Sequence, residues 1–242
     1  MTKNFSAVAA AFAFVGFAKS YPSRSMQLLA WGMVPSLFLG LYQPVGLLLA
    51  ALTFVLLPAA WWRLLMGRAD GRTGFPFRLG VDEGRLLLSV FLIHGVATLA
   101  VLPVHLIVTM AFRVDPYLFG ALGMVNLAVA PALVWARLGP SLPLSVAENR
   151  LLVMRSWRPT GQIGWKLYLA WLPIIAAAYL PVAWPILFAG SIPVVPEHWV
   201  WVIALAAGIF GNFGMAVVCA TQAYVACYIQ DKIADAPAAA AD

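Results

Sequence analysis

Six apolar stretches, 26–42, 45–66, 86–112, 117–138, 165–190 and 199–229, take up most of this chain and leave little sequence between them. At about 1.5 Å of rise per helical residue, each covers most or all of roughly 30 Å of hydrocarbon. A chain in hydrocarbon must satisfy its own backbone, so the expected fold class is all-α: a polytopic bundle of about six transmembrane helices. Composition agrees, because 63% hydrophobic and 10% charged residues over 242 positions exceed what a water-soluble core uses. Charge then orients the bundle. Fourteen of the fifteen Lys and Arg residues fall on one side when the stretches are threaded in turn, and only Arg113 lies opposite. That asymmetry predicts a bacterial inner-membrane, multi-pass protein with both termini cytoplasmic. The net charge of +6 is accounted for by orientation and anionic headgroups, so the lipid bilayer and other membrane-protein subunits are the expected partners and nucleic acid is not.

The chain divides into three parts. Residues 1–25 form a cytoplasmic N-terminal segment, residues 26–230 the transmembrane domain, and residues 231–242 a low-complexity, disordered tail. The apolar run 5–18 loosely imitates a signal peptide, but it is short and Lys19 stands where a small-residue cleavage site belongs. A helix lying in the membrane interface, with Lys19 and Arg24 reaching headgroups, fits it better. Cys219 and Cys227, eight residues apart on one helix, lie about 12 Å from each other and are expected to be buried and unpaired.

The pattern L-x-V-x-E-x-R-L-L occurs at 79–87 and again at 144–152, each time before a pair of crossings. Equal orientation of the copies makes this a partial internal parallel repeat. An acid and an Arg two residues apart do not share a helix face, so Glu83, Arg85, Glu148 and Arg150 are each expected to reach a different neighbour at the boundary.

FPFRLGVDEGRLL and ARLGPSLPLSVAENRLLVMRSWRPTGQIGWKLYLAWLP resemble bacterial membrane proteins related to the glycerophosphodiester phosphodiesterase membrane domain and the YciC-like proteins, over about residues 63–175. In those proteins an Arg-Leu-x-Leu-x-x-Pro segment, an internal acid and a Ser-Trp-x-Leu-Thr-x-Gly turn precede a hairpin. The matching positions are Arg137, Leu138, Pro143, Glu148, Ser156, Trp157 and Thr160. The chain departs from the pattern at Pro140, Gly161 and Pro159, and Pro159 is expected to break the amphipathic helix. The resemblance implies a helical inner-membrane module. In the larger relatives the phosphodiesterase chemistry sits in a separate soluble barrel.

Chemical sites are sparse. His94 and His105 lie on the third stretch about 20° apart around the helix and roughly 16 Å apart along it, too far for one metal ion. A single tetrapyrrole ligand at His94, beside Gly95, is set against an imidazole hydrogen-bonded between helices; the sequence requires no cofactor. Asn126, Asn212, Thr221 and Gln222 are polar residues within crossings and are expected to join helices. No Asp, Glu, Lys or Arg occupies the middle of a crossing, which disfavours an ion-coupled pump. Gly-x-Ser-x-Gly, His-Glu-x-x-His, Gly-Lys-Ser/Thr and Cys-x-x-Cys are all missing, so no enzyme is expected. Gly208, Gly211 and Gly214, with Ala204 and Asn212, suggest a helix-packing or partner face. These features favour a non-catalytic subunit, scaffold or assembly factor of a membrane complex. The alternative is a permease-like module that moves or senses an apolar or lipid substrate.

Overall fold

The computed structural model describes residues 5–41, 43–67, 80–111, 132–171 and 197–239, which are helical or turn throughout, with no strand among them. The chain is all-α. Its elements are α1 (Ala7–Ala11), α2 (Ala13–Ser20), α3 (Pro22–Leu41), α4 (Gln43–Leu65), α5 (Val81–Ala111), α6 (132–138), α7 (Ser141–Glu148), α8 (164–171) and α9 (Glu197–Ala239). Local chemistry sets several boundaries. Ser6 caps α1 by accepting the Ala9 amide at 3.1 Å, Lys19 sits in the last turn of α2, and Pro22 opens α3, where its missing N–H costs nothing. Gly67, at φ +68°, lets the chain turn after α4 as a left-handed residue.

α3 and α4 pack side by side, Gly32 against Leu57, and both lean on α9. One core joins Leu28, Leu57, Trp61, Ile93, Leu142 and Ala220. A second surrounds the C-terminal half of α9, where Val225, Ala226 and Ile229 meet Leu144, Ile163, Leu167 and Trp171.

Two helical stretches among the described residues are long and apolar enough to cross a membrane, Glu83–Ala100 and Gly211–Asp231. They differ in how far the protein covers them, with 28% of the first and 56% of the second buried. Most of the stretches 117–138 and 165–190 lies outside the described residues.

The N-terminal segment packs against the bundle. α1 and α2 run antiparallel along α9: Phe5 meets Tyr224 at a tilt and Tyr228 edge-on, Thr221 donates to the Ala10 carbonyl at 3.1 Å, and Phe14 meets Phe213 and Trp61 edge-on. The reason lies in its apolarity on two sides. Ala10 and Phe14 are buried against the bundle while Val8 and Phe12 remain exposed. α9 continues as helix to Ala239, through most of the stretch expected to be disordered. Alanine, the strongest helix former, holds four of the nine positions 231–239. Both cysteines are free, Cys219 buried as expected and Cys227 exposed.

Candidate interfacial platform

The end of the bundle where α4 stops and α5 begins gathers the polar groups that the sequence singled out. Glu83, in the first turn of α5 and almost fully buried, accepts a hydrogen bond from Arg63 Nη1 at the end of α4. Two turns of helix thus lock across a gap of twenty residues. On the same helix, Arg85 Nη1 donates to the Asn149 carbonyl at 2.7 Å. Asn149 caps α7 in the left-handed conformation, φ 53° and ψ 37°, which asparagine tolerates better than most residues.

The two copies of the repeated pattern therefore touch, but they do not fold alike. Glu83 lies near the start of a helix of 31 residues, whereas Glu148 is the last residue of a helix of eight. The residue after each acid accounts for the difference. Gly84 is carried within α5, while Asn149 adopts the left-handed cap and ends α7. Glu148 pairs with Arg155 at 2.6 Å in a half-exposed position, and Arg150 is exposed. The expected parallel repeat is a likeness of sequence whose copies differ in local structure.

α7 is buried from Ser141 to Ala147, and the turns after it wrap back over it. Pro140 precedes its first residue, and residues 153–163 form turns rather than an amphipathic helix around Pro159. Buried hydroxyls fasten those turns. Ser141 Oγ lies 2.8 Å from the Val153 carbonyl and 2.6 Å from Ser156 Oγ. Ser156 Oγ reaches the Arg137 carbonyl at 2.6 Å, and Thr160 Oγ1 reaches the Ser156 carbonyl at 2.6 Å and that of Arg137 at 3.1 Å. Ser145 Oγ donates to the Ser141 carbonyl and accepts the Leu152 amide. Each hydroxyl has one proton and a carbonyl in reach, so the cluster spends its donors on backbone.

Arg137 completes the platform. Its guanidinium carbon lies 3.8 Å from the centre of the Trp157 ring, and Nη2 donates to the Trp157 carbonyl at 2.8 Å. Gly161 and Gly164 leave space for it: a Cβ at Gly164 would stand 2.8 Å from Arg137 Cγ, and one at Gly161 3.4 Å from Nη2. Of the positions named through the family resemblance, Arg137, Ser156, Trp157 and Thr160 come together here. No known family, curated protein or solved structure matches this chain.

The other candidates lie apart from the platform. His94 is exposed on α5, its ring 6.1 Å from that of Trp135 and tilted by 65°. It packs edge-on against a neighbouring helix. Asn126 and Asp115, and the side chains of His105 and His198, fall outside the described part of the structure. Thr221 and Gln222 are buried at the joint of α9 with α1 and with Gly139, and the Gln222 carbonyl oxygen has no hydrogen-bond partner.

Within the glycine face, Gly211 and Asn212 lie on different sides of α9. Gly211 is exposed, and a Cβ there meets nothing within 4 Å, while Asn212 turns inward against Gly32. Adjacent helical residues point about 100° apart, so the small residue and the amide serve different sides. The surroundings of Ala204 and Gly208 fall outside the described part of the structure, and Gly214 is half-buried. Gly211→Leu is accordingly expected to leave the folded bundle intact. Its thermal unfolding midpoint in detergent should stay level or rise slightly, since Leu favours helix over Gly by up to about 1 kcal/mol. A sharp fall would place another helix of this chain on that face.

Proposed function

We propose that this chain is a multi-pass inner-membrane protein of about six crossings that acts without chemistry of its own, as a subunit, scaffold or assembly factor of a membrane complex. One observation carries the membrane reading. α5 exposes Phe91, Leu99, Ile107 and Met110 at 66–72% along its length, and Leu88, Leu92 and Val96 between them. Water tolerates an apolar surface of that extent poorly, whereas acyl chains accept it on every side of a helix. Pro35, Pro58 and Pro103 inside α3, α4 and α5 are also more at home in membrane helices than in soluble ones.

The non-catalytic part of the proposal rests on the platform. Its hydroxyls bind backbone carbonyls, its carboxylates Glu83 and Glu148 bind arginines, and no His, Asp or Glu contacts Ser141, Ser145, Ser156 or Thr160 among the described residues. A nucleophile needs a neighbouring base, and these groups have structural partners instead. The family resemblance supports the same reading by implying a membrane module separated from any barrel.

Topology and partnership are tested together. With Cys219 and Cys227 replaced by Ala, single cysteines at Met154 and Ser191 are exposed in intact cells to a thiol reagent that does not cross the inner membrane. Only the Ser191 probe should react; labelling at Met154 would reverse the orientation. Native purification in mild detergent should then return a stable complex. A monomer carrying only lipid would favour the permease-like reading.

A further inference from the structure

We propose that Arg137, clamped between the Trp157 ring and the backbone of Gly161 and Gly164, is a binding site for a phosphate-bearing anion. Resting on the membrane reading above, the ligand is the headgroup phosphate of an anionic lipid at the cytoplasmic boundary. The first argument is charge. Residues 132–171 carry Arg137, Arg150, Arg155, Arg158 and Lys166 against one carboxylate, Glu148, and Arg155 already holds that carboxylate at 2.6 Å. Arg137 has no acidic partner among the described residues, yet it is half-buried and its Nε is sealed from solvent without a hydrogen bond. A desolvated cation with no counter-charge is costly, and an anion supplied from outside relieves that cost.

The second argument is geometry. The stem is held by Gly164, one face of the guanidinium by the indole, and Nη2 by the Trp157 carbonyl, which leaves Nη1 as the open donor. An immobilised guanidinium loses little entropy on binding, and Nη1 can give a phosphate oxygen one charge-assisted hydrogen bond. Exposed Arg158 and Lys166 in the same turns add attraction without fixed geometry. Trp157 and exposed Trp165 suit the headgroup level, where amphipathic rings collect.

The test uses the full chain purified in mild detergent, with dioleoylphosphatidylglycerol, dioleoylphosphatidylcholine and inorganic phosphate as separate probes. Retention is read by native mass spectrometry and stabilisation by the thermal midpoint. Phosphatidylglycerol should be retained over phosphatidylcholine, and Arg137→Gln should weaken that retention by about tenfold, the loss expected for one charge-assisted hydrogen bond. Arg158→Gln should keep most of it. Equal stabilisation by inorganic phosphate would keep the site and assign it to a soluble phosphate. Retention unchanged in Arg137→Gln overturns the proposal. Should that variant fail to fold, Arg137→Lys retains the charge without the fork, and lipid retention equal to the wild type overturns it as well. So does a wild-type protein with no preference between the two lipids. Release of the chain from membranes by an alkaline carbonate wash would sink the membrane reading alone, with the inorganic phosphate arm still judging Arg137.

Discussion

Glu83→Ala should lower the stability of the bundle by about 3 kcal/mol or more, the range for removing one partner of a buried ion pair. Glu83 is 5% exposed and receives its hydrogen bond from Arg63, whose second terminal nitrogen is buried with no partner. Removing the carboxylate strands that guanidinium between α4 and α5. Glu148→Ala provides the contrast: its pair with Arg155 is half-exposed, and such pairs contribute about 0–1 kcal/mol. The thermal midpoints of the two variants in detergent should therefore separate clearly, although both acids occupy the same place in the repeated pattern. Comparable small losses at both positions would mean that Arg63 finds another partner or water. The double variant Arg63→Met, Glu83→Leu is expected to regain much of the loss, because neither charge then remains buried.

A second large effect is expected at Gly32, in the middle of α3. A Cβ there would overlap the side chain of Asn212, with Cγ at 2.6 Å, and would lie 2.9 Å from Leu57 Cδ2. Side chains of α4 and α9 press on α3 at Gly32, and a methyl group there forces them to shift. Gly32→Ala gains about 1 kcal/mol of helix propensity but is expected to lose more, since overpacking a tight contact costs about 1–3 kcal/mol. Shortening the opposing residue reverses the sign. In an Asn212→Ala background the same substitution should be neutral or stabilising, because the methyl then occupies vacated space. Equal destabilisation in both backgrounds would show that α3 and α9 do not meet through this pair.

These outcomes trace how much the residues alone made legible. Helix ends were close to their apolar boundaries, with α5 starting five residues before the stretch at 86 and α3 four before the one at 26. Those extra turns are polar and carry Arg24, Glu83 and Arg85, which an apolarity criterion cannot include. The grouping of Arg137, Ser156, Trp157 and Thr160 was foreshadowed only by the resemblance, since serine and threonine have no periodic signal of their own. The glycine spacing does not say which side of α9 is covered, for a geometric reason. Steps of three residues turn about 300°, so successive glycines drift around the helix and Gly211 ends on the open side. The docking of α1 and α2 on α9 left no trace, because the contact joins residues 211 positions apart. Arg63 was counted only as an inside charge. Its pairing with Glu83 depends on how α4 and α5 are brought side by side.

That long-range contact also bears on biosynthesis. The Ala10 carbonyl is made 211 residues before the hydroxyl that binds it, which belongs to Thr221 on α9. At about 5–20 residues per second, the N-terminal helices wait roughly 10–40 seconds for their seat to be made. Ala10 and Phe14, buried in the finished bundle, lack their contacts with α9 throughout that interval. A chain cut short before α9 keeps the contacts of Phe14 and Phe17 with Trp61 and loses those that Phe5 and Ala10 make with α9.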